Sequence, residues 1–393
     1  MFIIKAKRGK TKKLKNMYPN LFRDEIREII GEGDYGIANL FSGEDEFIGT
    51  GLFSRNSNKT FRMLSRTAVE INNAFFVQKF SGAILRRRRF QNSDCYRVIN
   101  AESDFLPGII VDKFRDILVL QIRHIVWEDY KGEIVKALLS VFGDKITGIY
   151  ERSDFESSPE YALRKNKGII YGEVPDEMII EELGIKYKVS VPSGQKTGFF
   201  LDQRENRDYI RKIVSDYDLR DKKGLDLFSY TGSFSFAMAS AGMLSTVGVD
   251  KSEDDIALAK ENARLNGLED RCRFFSADIF ELDSLKREYS LIVLDPPSLV
   301  KDKTEKYYGK RKFTELIDRS LQFLEIPGIL GICSCAYHID LNDLEESLRR
   351  ACTEKELLAT IIGIGLQSPD HPWLIQIPES LYLKCLWVYI DKI

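Results

Sequence analysis

Apolar and polar positions along this chain follow two patterns, and the change falls near Val191. Before it, apolar runs are short. From Phe2 to about Arg66 they are cut by glycine, as in Ile29-Ile30 before Gly31-Glu32-Gly33, Ile37 to Phe41, and Phe47 to Gly51, a spacing that predicts a small, mostly β domain. Val69 to Leu85 has helical spacing, Cys95–Asn100, Gly108–Asp112, Ile117–Ile122 and Gly148–Glu151 read as strands, and Tyr130–Phe142 reads as a helix, which together predict an α+β block. A turn-rich stretch from Tyr171 to Pro175 precedes a hairpin over Met178 to Val191.

After Val191, strand-like and helical runs alternate. Strands are expected at Gly224–Phe228, Thr246–Asp250, Arg271–Phe275, Leu291–Leu294 and Ile329–Cys333, and helices at Ser233–Ala241, Glu253–Leu265, Arg311–Leu324 and Leu341–Cys352. Such alternation predicts a parallel sheet with helices on both faces. The chain thus reads as a multidomain α/β protein of three parts: residues 1–68, 69–185 and 186–393. Its length, 393 residues, agrees with more than one core.

Composition narrows the partners. The formal net charge is only -2, so attraction to a polyanion must come from local patches. Seven basic residues lie between Lys5 and Lys15, and Arg86-Arg87-Arg88-Arg89 forms a second run; each is either a solvated charged surface or a phosphate-binding patch. No apolar run approaches a membrane span and the basic start has no signal-peptide core, so a cytoplasmic protein without membrane contact is expected. Six cysteines without a CxxC pair, beside three histidines, fit neither a disulfide framework nor a zinc site; reduced thiols and no metal are expected.

In a parallel sheet of this kind ligands bind beyond the carboxyl ends of the strands. The first strand runs into Asp226-Leu-Phe-Ser-Tyr-Thr-Gly232. A dinucleotide site needs GxGxxG here so that a diphosphate can approach bare backbone, but only Gly232 is present, Phe228 and Tyr230 are bulky, and Asp226 repels phosphate. A cationic sulfonium ligand with an amino group would be attracted instead. Asp250 ends the second strand, where such folds place an acid against ribose hydroxyls, and Asp278 follows the third, where a carboxylate can accept from an adenine amino group. Acids at strand ends are also common caps and turn formers, but three at successive strand ends beside a single-glycine loop are hard to explain as chance.

The fourth strand ends in Asp295-Pro-Pro-Ser298. Methyltransferases acting on exocyclic amines usually carry an aromatic residue after such prolines, so Ser298 counts against amine methylation. The fifth ends in Cys333-Ser-Cys335-Ala-Tyr-His338. Carbon 5 of a pyrimidine becomes nucleophilic only after a thiolate adds to carbon 6, and a cysteine at this edge suits that chemistry. Cysteine is equally a buried small hydrophobe, the reading that fits Cys333 inside the apolar run; Cys335 lies just past it among polar neighbours. His338 either favours the thiolate or holds the loop. Asp295 is expected on the pyrimidine edge, the general base is not identified, and the base would have to be flipped out.

These residues resemble a known family, the bacterial and archaeal 23S rRNA cytosine-5 methyltransferases with an N-terminal PUA fold. The likeness runs over nearly the whole chain. Its most specific piece is Ser193-Gly-Gln-Lys-Thr-Gly-Phe-Phe-Leu-Asp-Gln-Arg-Glu-Asn-Arg207, followed in order by Asp226–Gly232, Asp295-Pro-Pro and Ser334-Cys335; Tyr18-Pro19-Asn20-Leu21-Phe22 departs from the family's usual His-Pro-Trp, and Arg66 matches the end of the PUA region. The resemblance implies a PUA-like RNA-binding domain, an α+β middle domain and a Rossmann-like class I methyltransferase domain. It implies S-adenosylmethionine as cofactor, lined by Thr197, Phe200, Asp202, Asp226, Phe228, Thr231, Gly232, Asp250 and Asp278, with Cys335 as nucleophile beside Asp295. The implied partner is RNA, as 23S rRNA or a large-subunit assembly intermediate, and a homodimer is compatible with it. Rival readings are methylation of another base, such as guanine, and a non-catalytic RNA-binding or ribosome-assembly factor.

Overall fold

The structure is a computed structural model describing residues 1–154, 165–194, 197–283, 285–300 and 302–392. Two compact units emerge. One comprises Met1–Ile180, Val189–Leu201 and Pro369–Ser380, the other Glu181–Lys188, Asp202–Ser368 and Leu381–Ile393.

The first unit opens with strands β1 (Phe2–Ala6), β2 (Asn20–Leu21), β3 (Ile26–Ile30), β4 (Tyr35–Phe41), β5 (Phe47–Ser54) and β6 (Phe61–Ser65), with the short helix α1 (Lys12–Lys15) between β1 and β2. They form one sheet in the order β2-β6-β5-β4-β1-β3, in which β1 runs parallel to β4 and antiparallel to β3. Phe2, Ile4, Leu14, Leu40, Phe53 and Phe61 fill its core. Helix α2 (Asn73–Arg86) follows, started by Asn72, whose side chain accepts from Phe75 N.

Then come β7 (Cys95–Asn100), β8 (Ile109–Phe114), β9 (Ile117–Ile122), helix α3 (Lys131–Phe142), β10 (Gly148–Arg152) and β11 (Lys167–Gly172), in the order β11-β10-β9-β8-β7. Phe76 and Phe80 on α2, Trp127 before α3, and Leu52 and Leu64 from the first sheet belong to one buried cluster with these strands. That shared core explains why the two sheets make a single compact unit.

Two sequence expectations about charge and thiols are corrected. Arg86-Arg87-Arg88-Arg89 is not one basic patch: Arg87 is buried and forks onto Asp104 at 3.0 and 2.6 Å, and Arg86 reaches the same carboxylate, whereas Arg88 and Arg89 are exposed. Likewise Lys5, Arg8, Lys13 and Lys15 are paired with Asp45, Glu44, Glu25 and Glu46, Arg8 and Lys15 while still exposed, and Lys7, Lys10 and Lys12 are further exposed cations of that stretch. Nor are all cysteines reduced. Cys333 and Cys385, 52 residues apart in sequence, face each other in neighbouring strands and form a disulfide.

The hairpin β12 (Met178–Glu182) and β13 (Ile185–Val189) leads into helix α4 (Arg204–Asp216). The second unit is then built from β14 (Lys223–Leu227), α5 (Ser233–Ser240), β15 (Ser245–Asp250), α6 (Glu253–Leu265), β16 (Cys272–Ser276), β17 (Tyr289–Leu294), α7 (Lys306–Phe323), β18 (Leu324–Ser334), α8 (Leu341–Thr353), β19 (Leu357–Leu366) and β20 (Lys384–Lys392). The sheet order is β16-β15-β14-β17-β18-β20-β19, with β14 to β18 all parallel and β20 antiparallel to both its neighbours. Local signals agree with this pattern. Ser252 caps α6 by accepting from Asp255 N, Glu253, Asp254 and Asp255 complement the helix dipole, and Ile256, Ala259 and Ala263 form the buried face. Among the described residues no helix is long and apolar enough to cross a membrane.

In the first unit the Asp104 carboxylate is fully buried between Arg86, Arg87 and the Asn100 backbone amide. Removing it strands the buried Arg87 guanidinium, so Asp104→Ala is expected to cost about 3–5 kcal/mol of unfolding free energy. Urea denaturation of the variant against wild type measures this, and a loss within 1 kcal/mol, on the order of an exposed pair, would contradict the buried pairing.

Candidate functional site

Parallel register brings the strand ends of the second unit to one edge. Leu227 at the end of β14 pairs with Val249 on one side and Leu294 on the other, Leu294 pairs with Ile332, and Asp250 pairs with Ser276. Order reverses between β14 and β17, the switch point at which open α/β sheets bind ligands. Asp226, Asp250, Asp278, Asp295 and Cys335 all lie at or just beyond these ends.

Asp226 is fully buried, and its Oδ2 accepts from Ser235 N at 2.8 Å and Ser235 Oγ at 2.9 Å. Its Oδ1 has no hydrogen-bond partner among the described residues. Burial pushes this carboxyl up to about 7; the Ser235 hydrogen bonds pull the other way, and the charges of Asp295 and Asp250 add to the rise. The loop beyond it is held in a costly shape. Phe228 and Tyr230 both adopt left-handed backbone, at φ 63 and 49°, as does Gly232 at 86°. Three hydrogen bonds secure it: Ser229 N to Val249 O, Gly232 N to Ser229 O, and Tyr230 N to Asp250 Oδ2 at 3.0 Å. A Cβ on Gly232 would come within 2.7 Å of the Phe274 ring, so the position tolerates no side chain. Thr231, beside it, is buried.

The other two acids also serve their own loops. Asp250 accepts from Ser252 N at 3.0 Å as well as from Tyr230 N. Asp278 caps a short 3-10 turn by accepting from Phe280 N and pairs with Lys251 at 2.7 Å, a hydrogen bond that holds its carboxyl below the usual carboxylate range. Both remain half-buried at the sheet edge.

Asp295 donates its backbone amide to Leu227 O, and its Oδ2 accepts from Gln203 Nε2 at 2.9 Å. Gln203 is oriented in turn by Asn206, whose Nδ2 donates to Gln203 Oε1 at 2.7 Å. Both residues lie in the Ser193–Arg207 motif, are only 3% and 1% exposed, and act through these two hydrogen bonds. Asp202, also buried, accepts from Tyr382 OH at 2.8 Å, a partner 180 residues away with no sequence signal. Arg204 and Arg207 complete this face of α4 by clasping Glu182 of β12. Ser298 donates to Val300 O.

Cys335 sits one residue past β18, half-buried against Cys333, Leu383, Cys385 and Tyr382. The other free cysteines, Cys95, Cys272 and Cys352, are buried, and burial raises the thiols of Cys272 and Cys352 to about 11. His338 is half-buried with its ring beside Tyr337.

Thr197 and Phe200 belong to the first unit. There the buried Thr197 hydroxyl donates to Asp112 Oδ2 at 2.6 Å, a carboxylate also held by Arg97. Within the same motif, Gln195 and Lys196 lie outside the described residues.

Residues 161–356 match a family described as S-adenosylmethionine-dependent methyltransferase, and residues 4–66 match a PUA-like domain. The chain is 32% identical over 388 residues to the ribosomal RNA large subunit methyltransferase I of Pseudoalteromonas atlantica, covering 96% of each chain. It is 34% identical to the protein of that name from Tolumonas auensis, covering 97% of each. Among solved structures, a protein described as a methyltransferase complexed with SAH superposes with a TM-score of 0.84 at 24% identity, and a protein described as a SAM-dependent methyltransferase from Streptococcus mutans with a TM-score of 0.83 at 24%, each over 99% of this chain and 100% of that one. The fold is therefore a Rossmann-like methyltransferase domain together with an N-terminal PUA-like domain, and the cofactor is S-adenosylmethionine.

The residues present fit that cofactor. Asp226 offers an orphaned, buried carboxylate oxygen, which suits a ligand carrying an ammonium and a sulfonium, and Ser229 Oγ is a second buried polar atom without a partner among the described residues.

The raised Asp226 pKa has a stability consequence of definite sign. A carboxyl that titrates near 7 when folded and near 3.8 when unfolded favours the folded state below about pH 4, and that advantage is lost as pH rises through 7. Asp226→Asn, which cannot ionise, should therefore gain on wild type by a few kcal/mol between pH 4.5 and about 7.5 in the absence of cofactor. Chemical denaturation of both proteins at the two pH values checks this; a pH-independent difference would show that Asp226 ionises normally.

Proposed function

The chain belongs to the S-adenosylmethionine-dependent ribosomal RNA large-subunit methyltransferases, and we propose that it methylates carbon 5 of a cytosine in 23S rRNA with Cys335 as nucleophile. The observation carrying this reading is the position of Cys335. Of the free cysteines it alone is half-exposed, and it stands at the strand end next to the one bearing Asp295.

Asp226, Asp250 and Asp278, with Phe228, Thr231 and Gly232 in the loop between them, would hold the cofactor: Asp226 at its cationic end, Asp250 at the ribose and Asp278 at the adenine. Bound S-adenosylmethionine supplies an electrophilic methyl group. Cys335 does the work on the base. Its thiolate adds to carbon 6, which makes carbon 5 nucleophilic; after carbon 5 is methylated its proton leaves to a base and the thiolate is expelled. Asp295, fixed by Gln203, contacts the ring edge and stabilises the adduct. A stacked base is out of reach, so the cytosine enters the site flipped from its strand. Asp202, whose carboxylate is engaged by Tyr382, is proposed with Thr197 and Phe200 as a further cofactor-lining residue.

RNA is held by the first unit, through the exposed Lys7, Lys10 and Lys12. Phosphate contacts release counterions, so binding weakens as salt rises. Replacing all three lysines by alanine should reduce the slope of log affinity against log salt by about 2 to 3. Filter binding with a 23S rRNA fragment reads that slope, and an unchanged value would remove these lysines from the interface.

The decisive assay incubates wild type and Cys335→Ala with labelled S-adenosylmethionine and unmodified 23S rRNA, then identifies the labelled nucleoside by mass spectrometry. The expected result is label in 5-methylcytidine with wild type and at least a 10³-fold lower rate with the variant, roughly what losing a covalent nucleophile costs. Label in guanosine, or a variant that keeps its rate, would overturn the cytosine reading. Absence of any transfer by wild type would favour a non-catalytic assembly factor.

A further inference from the structure

Lys384 is the first residue of β20 and pairs in register with Ser334, the last residue of β18. It is only 4% exposed. Its Nζ donates to Ala336 O at 2.9 Å and to Ile339 O at 2.7 Å, two carbonyls of the loop that Cys335 begins and α8 ends. Within that loop Ile339 N returns to Ala336 O, and Ala336 N is held by Ser334 Oγ. The lysine thus closes the turn from the side of the neighbouring strand.

Satisfying two carbonyls calls for a donor but not for a charge. Burying an ammonium is costly unless an anion lies nearby. The anionic groups acting on Lys384 are Asp340, Asp343 and Cys335. The first two are already served by α7: Lys306 lies 3.5 Å from Asp340 and 2.6 Å from Asp343, and Lys310 lies 3.3 Å from Asp343. The other titratable side chains carried by these segments are His338 and Tyr337 on the loop and Tyr382 before β20. Cys335, which immediately precedes the carbonyl-bearing Ala336 that Lys384 holds, is thus one of three groups whose negative charge would favour the buried ammonium.

We propose that Lys384 is a positioning residue for Cys335: it fixes the 336–339 loop through its two carbonyl bonds and holds the adjacent thiol in its reactive thiolate form. Burial brings the Lys384 ammonium down to about 8 and the three anionic neighbours oppose that fall, so it keeps its proton at neutral pH, as the role requires. The inference rests on Cys335 as the reactive thiol, but its test does not use methyl transfer as the deciding readout.

That test follows alkylation of Cys335 by iodoacetamide across pH 6 to 10, resolved from the other cysteines by mass spectrometry, in wild type, Lys384→Met and Lys384→Arg. Lys384→Met should move the midpoint of the profile upward by about one pH unit, with about tenfold slower alkylation at pH 7, while Lys384→Arg stays near wild type. A Lys384→Met profile that superimposes on wild type, or a Lys384→Arg profile shifted as far, overturns the proposal. If Lys384→Met does not fold, Lys384→Gln keeps an amide donor for the carbonyls without the charge and is read the same way. Cys335→Ala in the methylation assay separates the two claims, since an active variant refutes the nucleophile while leaving the alkylation result standing.

Discussion

The parallel register of β16, β15, β14, β17 and β18 is the constraint on which the site depends. Each strand contributes residues at the same edge because its neighbours fix how far it extends: Leu227 against Val249 and Leu294, Leu294 against Ile332. A slip by one residue in β14 would turn Asp226 to the opposite face of the sheet and take its acceptor away from the loop it now faces. A slip in β18 would do the same to Cys335. The hydrophobic faces resist this. Leu225, Leu227, Ile292, Leu294, Leu330 and Ile332 belong to one buried cluster, so a shift would break the packing of several of them together.

Around this edge the second unit accumulates buried polar groups, and they fall into two kinds. Glu182 with Arg204 and Arg207 is an ion-paired set: both arginines reach one carboxylate and all three are buried. Such a set costs desolvation and repays it with geometry, locking α4 so that Gln203 and Asn206 can brace Asp295. Asp226 and Lys384 are of the other kind, a carboxylate with one oxygen unmatched and an ammonium whose strongest partners are two neutral carbonyls. Incomplete compensation inside a packed core costs stability, and a ligand bound there is one way to recover it.

Sequence pattern exposed the parts in which periodicity and burial coincide. The helix expected at Glu253–Leu265 forms with those bounds, and the five parallel strands appear within a few residues of their expected ends, except that β18 begins at Leu324, ahead of Ile329. It failed where burial is polar or partnership is distant. Helix α4 escaped notice because its inward face carries Arg204, Asn206 and Arg207, which break the apolar repeat. Strand β19 is an edge strand with Leu358, Ile361 and Ile364 exposed, so no inward-outward alternation marks it. Residues Pro369–Ser380 join the first unit through Arg87 to Asp370, Asn100 to Pro372 and Tyr18 to Glu379, polar bonds spanning more than 270 positions that no local window can see. The Cys333–Cys385 bond was hidden likewise, since it needs β20 beside β18.

Charge shows the same limit most sharply. Four adjacent arginines look like one electrostatic feature, yet the turn that ends α2 sends Arg87 inward to Asp104 while Arg88 and Arg89 stay in solvent. Once buried, a guanidinium matched to a carboxylate presents no field to a passing phosphate, and its contribution becomes structural. The paired lysines near the N-terminus are intermediate: Lys13 lies against Glu25 and the rings of Tyr18 and Phe22, which leaves it poorly placed to shed a counterion. What an RNA backbone can use is the subset that folding leaves exposed. For a protein whose total charge is nearly neutral, that subset and not the run length sets how strongly salt competes.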